Sequence, residues 1–494
     1  MSATPSEENP REKISTHDQE KATPSSSPCA SLRWPTNLKS TILTELRKQR
    51  GICIPLVAMN LTWFLKIAVT TAFLGRLGEL QLAGGVLGLT FANVTGFSVL
   101  NGLCGAMEPI CGQAFGAKNY KLLHKTLLMT TILLLLATLP ISFLWIHVDK
   151  ILIHFGQQRD ISIVAKDYLM FLLPDLFATS FLCPLRTYLN SQGITIPNMV
   201  TSALALALHV PLNIFLSRSK GLQGVAMAVW LTDLFIVIFL AIYVFLTEKT
   251  KGERWKEGGW LDQRVHDWVR LVKLSGSCCL TTCLEWWCLE ILVLLTGRLP
   301  DAKRSVSVLA VVLNFDYLLY SVMLSLATCA STRVSNELGA NQAQIASESA
   351  YVSLGIWGPI FTPNKGVVTG VKRIMPLMAV VELVNFPVVV IGGIVRGTAK
   401  PWLSMYANLG GFYLMTLPLG VILAFKVGMN LSGLVLGFLV GMISCLLLLL
   451  VFVARIDWVK EADKAHKLAS VMEEEVSTAD RNLVNTHNDS NSEV

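Results

Sequence analysis

Apolar stretches of about 20 residues recur along this chain from Ile52 to Ala454, each long enough to cross the hydrocarbon core of a bilayer. No other feature narrows the possible folds so far. Inside lipid a chain must satisfy its own backbone hydrogen bonds, so only helices and closed barrels cross. Barrel strands would read as segments of about ten residues with alternating hydropathy, and the sequence has no such segments. The expectation is an all-α polytopic membrane protein. Composition agrees: 52% of residues are hydrophobic and 15% charged, with a mean hydropathy of +0.53, against about 25% charged in soluble domains.

Residues 1–45 are rich in Ser, Pro, Thr and charge and read as a disordered cytosolic tail with no signal-peptide core. Arg47, Lys48 and Arg50 precede the first span and place this end in the cytosol. Six spans are expected in an N-terminal lobe, residues 46–247. A polar connection, 248–270, carries Lys249, Lys251, Arg254, Lys256, Arg264 and Arg270 and reads as a cytosolic inter-lobe loop. A C-terminal lobe, 271–455, and a polar tail, 456–494, follow. The net charge of +7 lies mostly in loops and at span ends, where it orients a membrane protein; nucleic acid is not an expected partner. The eleven cysteines are scattered, with no CxxC and no metal-ligand spacing, and read as small apolar fillers. No cofactor or metal is expected. No Walker A motif or nucleophile–base pair stands out, so an enzyme is not expected either.

The seventh span, Leu271–Leu299, contains Cys283-Leu-Glu-Trp-Trp-Cys-Leu-Glu290. A charged group at the bilayer centre costs roughly 2.5–3.5 kcal/mol on the insertion scale. It persists where it faces a polar cavity, finds a partner or takes a proton. Glu285 and Glu290 are five residues apart and so point about 140° apart on a helix. They are candidates for a protonatable site in a transport pathway, or one is satisfied locally and the other lies at the interface. Asp316 and Glu382 are further candidates. Trp286 and Trp287 have the faces to stack on a flat aromatic or cationic solute, or to pack. Asp175 and Asp233 read as structural, pairing within the first lobe.

The two halves resemble each other. Gly116-Ala-Lys-Asn119 matches Gly339-Ala-Asn-Gln342, and Gly193 to Pro197 matches Gly397 to Pro401. Pro211 and Gly224 match Pro418 and Gly433. The offset is 223 residues for the first pair but 204, 207 and 209 for the later ones. The second half is therefore short by 19 residues between Ala340 and Gly397, about one span. What remains of a ninth helix is 346–361. The halves predict two pseudo-repeated helical lobes, six helices plus five and a remnant, around a central cavity. The last three spans are expected to keep the orientation of a complete repeat.

These motifs resemble the multidrug and toxic compound extrusion (MATE) family, in its plant detoxification branch. Glu108-Pro-Ile-Cys-Gly-Gln-Ala-Phe-Gly-Ala117 looks like the family signature after the second helix. The Cys283–Glu290 stretch is similar to the eukaryotic seventh-helix motif. Ser331-Thr-Arg-Val-Ser-Asn-Glu-Leu-Gly-Ala340 and Val395-Arg-Gly-Thr398 are similar to the motifs after the eighth and tenth helices. The resemblance implies a proton-coupled antiporter that exports or sequesters organic solutes, cationic or aromatic, by alternating access, with H⁺ as coupling ion. It implies a monomer in the plasma membrane or a vacuolar or endosomal membrane. Glu285, Glu290, Glu382, Asp316, Trp286 and Trp287 would form the proton-coupling and substrate cavity. Gln113, Gly116, Arg333, Glu337, Gly339, Arg396 and Gly397 would shape tight turns. The rival readings are a non-transporting truncated isoform and a lipid or glycan flippase.

Overall fold

The computed structural model describes residues 38–251, 265–296, 298–299, 302–355 and 371–467. The tails outside these limits, residues 252–264 of the expected inter-lobe loop and residues 356–361 of the expected remnant lie outside the described residues. The chain divides after Leu43; before it only 38–43 are described, and they are helical. The unit beginning at Thr44 is described below.

In chain order the helices begin with α1 (Leu38–Leu77), α2 (Glu79–Ala92), α3 (Ser98–Cys104) and α4 (Met107–Gly116). A π-helical turn, Asn93–Phe97, joins α2 to α3. Then come α5 (Tyr120–Ile146), α6 (Val148–His154), α7 (Arg159–Ser191) and α8 (Ile196–Thr250). The second half holds α9 (Val265–Thr296), α10 (Ala302–Gly339), α11 (Ala343–Gly355), α12 (Val371–Gly397), α13 (Pro401–Asn408), α14 (Leu417–Val421) and α15 (Asn430–Ala454). Nine helical stretches among the described residues are long and apolar enough to cross a bilayer. One of them, α8, is two helices meeting at Gly221, where φ is 56°. Glycine alone takes that backbone without a Cβ penalty. With the 38-residue α10, the described residues make six crossings in the first half and five in the second, plus α11.

Local chemistry sets the breaks. Asn119 caps α5, its side-chain oxygen accepting from the Leu122 amide at 2.9 Å. Pro197 and Pro401 sit in the first turns of α8 and α13, where a missing N–H costs nothing. Pro418 cannot donate to the carbonyl four residues back, and the π-helical stretch Leu409–Thr416 widens the helix just before it.

The turns expose the repeat in backbone terms. Lys118 and Asn341 have φ of 60° and 57°, Gly193 and Ala399 72° and 57°, Gly221 and Gly428 56° and 77°. Matching these positions gives offsets of 223, 206 and 207. Gly193 therefore corresponds to Ala399 rather than to Gly397, which closes α12. The deficit becomes 17 residues. Most of it falls on α11, whose 13 described residues rise about 20 Å, against 27 residues in α5, the counterpart in the first half. The direction of the chain is nevertheless kept. A Cβ on Gly393 would meet the backbone of Ala327 and one on Gly397 that of Ser331, so α12 runs parallel to α10.

The lobes close on each other at one end. There Gly116 packs on the Asn336 carbonyl and Gly339 on that of Gln113, with no room for a Cβ on either. Gln113 Nε2 donates to the Gly397 carbonyl at 3.4 Å. Arg333 pairs with Glu337, one turn on, at 2.6 Å and with Glu45 of α1 at 2.9 Å. The polar composition after Arg455 hides a helix, 458–467, whose Trp458, Ala462 and Ala465 join the buried cluster of α10, α12 and α15. Gly339→Ala is expected to force these turns apart. Overpacking of this kind costs about 1–3 kcal/mol, read as a lower Tm for the purified protein. An unchanged Tm would mean the end is loosely packed.

Candidate functional site: a cavity between the lobes

Between the lobes lies a cavity with an empty volume of about 2380 Å³, its open mouth included. Both halves line it. The first half contributes Trp63, Lys66, Asn93, Asn101, Asp175, Arg186 and Asp233. The second contributes Thr282, Glu285, Trp286, Tyr320, Arg396 and Asn408. Trp286 and Tyr320 meet edge to face, with ring centroids 6.3 Å apart, leaving aromatic surface beside the Glu285 carboxyl. Near the closed end Arg396 Nε donates to Glu108 Oε2 at 3.3 Å, an ion pair that joins α12 to α4 across the floor of the cavity.

The first-half wall holds its own charge cluster. Lys66 Nζ donates to both Asp233 oxygens, at 2.6 and 2.7 Å. Asp175 is 2% exposed, with its carboxyl beside that of Asp233. Arg186 Nη2 donates to Ser202 Oγ at 3.1 Å. Asp233 pairs within its lobe as expected. Both aspartates nevertheless line the cavity rather than serving only as struts. Trp63, Lys66 and Arg186 were not expected there. Their signal was a charge or a Trp inside an apolar span.

The expected site residues separate into groups. Glu285 and Trp286 line the cavity. Glu290 and Trp287 do not appear among its lining residues. Helical phase carries Glu290 about 140° around α9 from Glu285. Trp287 is turned to the α2–α3 junction, where its indole N–H donates to the Val94 carbonyl at 3.1 Å. Asp316 and Glu382 lie off the cavity, 5% and 1% exposed. Their carboxyls lie beside each other, and Asn385 Nδ2 donates to Glu382 Oε2 at 3.4 Å. Arg396 is more than a turn residue, since it faces the cavity. Among the described residues no group of three or more His, Cys, Asp or Glu converges as a metal set.

Two helical lobes around a central cavity, with ionisable groups on its walls, define a polytopic membrane transporter. The MatE family model matches residues 55–215 and 277–358; the second match stops where the repeat is short. Protein DETOXIFICATION 56 of Arabidopsis thaliana is 58% identical over 457 positions, covering 89% of this chain and 93% of that protein. Those positions outnumber 89% of this chain's 494 residues, so the chain is gapped against it. Protein DETOXIFICATION 49 of the same plant is 40% identical, covering 88% and 90%. The crystal structure of the eukaryotic MATE transporter AtDTX14 superposes with a TM-score of 0.80 at 30% identity, covering 87% of this chain and all of that one. The chain belongs to the MATE family, whose members are transporters and not enzymes.

Proposed function

We propose that this protein is a proton-coupled antiporter that moves small organic solutes, cationic or aromatic, by alternating access. The observation that carries the reading is the cavity wall of α9 and α10. It presents Glu285, Trp286 and Tyr320 to a solute, with the Asp316–Glu382 carboxyl pair buried beside it. Glu285 supplies charge and hydrogen-bond acceptors, and the aromatic rings supply a face for a flat or cationic ligand. Two carboxyls buried side by side repel when both are ionised, so the pair favours holding a proton. That proton is the exchangeable one. Its loss adds negative charge near the cavity and favours a cationic solute; its return favours release. Loop charge puts the closed end on the cytosolic side, so the cavity opens away from the cytosol, as suits the releasing half of an export cycle. The protein acts as a monomer in the plasma membrane or a vacuolar or endosomal membrane, and the relatives' name, detoxification, suits such export.

The short α11 supports a second reading, a truncated isoform that does not transport. Purified protein in proteoliposomes separates the two. Solute uptake driven by a pH gradient, falling at least about tenfold in Glu285→Gln, a loss of about 1.4 kcal/mol, supports the antiporter. No uptake by the native chain, restored by an apolar insert of about 19 residues after Leu354, supports the truncated isoform.

A further inference from the structure

Among the described residues three cations line the cavity, Lys66, Arg186 and Arg396, and two of them are paired. Lys66 holds both Asp233 oxygens, and Arg396 holds Glu108 at 3.3 Å. Arg186 of α7 has no ion-pair partner among the described residues. Asp233 acts on it electrostatically, but both Asp233 oxygens already accept from Lys66. An arginine carries five N–H donors. One of those on Arg186 is engaged, from Nη2 to Ser202 Oγ at 3.1 Å, and Nε is buried and meets no acceptor among the described residues. An unpaired guanidinium inside a span is costly, and such a group faces a water-filled path or a ligand. Its place is deep. One turn further along α7 the Asn190 carbonyl accepts from Thr332 Oγ1 at 3.3 Å, and Thr332 precedes Arg333 of the closed end. On the opposite wall Glu285 also lines the cavity and also has no ion-pair partner among the described residues.

We propose that Arg186 receives a carboxylate of the transported solute, which narrows the solutes to flat aromatic compounds that carry an anionic group, with zwitterions matched best. The inference rests on the antiporter reading of the same cavity. A guanidinium offers a planar fork that takes both oxygens of a carboxylate, a geometry an ammonium lacks. Arg186, Arg396 and Glu108 together leave one positive charge toward the closed end, so the anionic group of a solute is drawn inward. Glu285 accepts a cationic group of the same solute, and Trp286 and Tyr320 supply surface for its ring. Arg186 belongs to the first half and Glu285 to the second. A solute with both charges therefore engages both lobes at once, which a simple amine does not.

The test measures binding to the purified full chain with no pH gradient, by equilibrium dialysis of three radiolabelled probes that share one ring. They are tryptophan, a zwitterion; tryptamine, a cation; and indole-3-propionate, an anion. Tryptophan and indole-3-propionate are expected to bind at millimolar concentration or below. Their Kd should rise at least about tenfold in Arg186→Gln, which can still donate to Ser202, and less in Arg186→Lys, which keeps the charge and loses the fork. The Kd of tryptamine should not rise in either variant, which also shows that the variants are folded. The native chain gives a reading that needs no variant. Indole-3-propionate should slow phenylglyoxal modification of Arg186, mapped by mass spectrometry, and tryptamine should not. No binding of either carboxylate probe at millimolar concentration, an unchanged Kd for both in Arg186→Gln, or modification of Arg186 at the same rate with and without indole-3-propionate would overturn the proposal. Uptake driven by a pH gradient judges the antiporter reading separately. Carboxylate binding without such uptake would remove that reading alone, and uptake of tryptamine with no role for Arg186 would remove this one alone.

Discussion

Asp316→Asn together with Glu382→Gln is expected to remove uptake driven by a pH gradient while sparing solute exchange at equal pH. The two carboxyls are buried, 5% and 1% exposed, and off the cavity wall, so their loss does not strip a ligand group from the solute. Two amides keep the shape and can still hydrogen-bond, which preserves packing. What they cannot do is bind and release a proton. If the pair holds the exchangeable proton, the driving force is uncoupled: gradient-driven uptake falls at least about tenfold, a loss of about 1.4 kcal/mol, and counterflow of labelled against unlabelled solute persists. Counterflow also controls for misfolding, because an unfolded protein shows neither activity. Gradient-driven uptake at the native rate in the double variant would remove these residues from coupling.

Much of this arrangement is legible in the sequence, and what is not has physical causes. Apolar run length exposes the crossings because lipid leaves no other way to satisfy a backbone. Gly and Pro positions expose the repeat because turn geometry restricts which residues fit. The register that the Gly-to-Pro spacing suggests at Gly193 is two residues off. Its partner in the turn is Ala399, with φ of 57°, and a non-glycine residue at positive φ leaves no mark in a sequence pattern. Acids inside spans could be found from their cost, but not which of them share a surface. Glu285 faces the cavity while Asp316 and Glu382, 66 residues apart in sequence, pair beside it, a contact made by the packing of α10 on α12. Long-range partnerships of this kind need the fold.

Arg333→Ala is expected to be the most destabilising single change at the closed end, and the reason is the company Arg333 keeps. Its Nε and Nη2 donate to the two Glu45 oxygens at 2.9 and 3.0 Å, and Nη2 also lies 2.6 Å from Glu337. All three side chains are nearly buried, between 5% and 12% exposed. Ser349 Oγ of α11 donates to the same Glu45 oxygen at 2.7 Å. Gln49 Nε2 donates to the Ser349 carbonyl at 3.1 Å. Arg333 thus sits between two acids, and through Glu45 it helps seat the short α11 against α1. Removing it leaves two buried carboxylates facing each other, and breaking a buried pair from one side costs about 3–5 kcal/mol. Thermal unfolding of the purified protein should show the loss, and Glu337→Gln, which keeps the Glu45 fork, should show much less. If Arg333→Ala unfolds at the native temperature, the cluster is hydrated and the short helix is held by apolar contacts alone. If the loss is large and the Glu45→Gln variant reproduces it, the polar seam between α1, α10 and α11 is what lets a lobe with a 13-residue element keep the fold of a complete one.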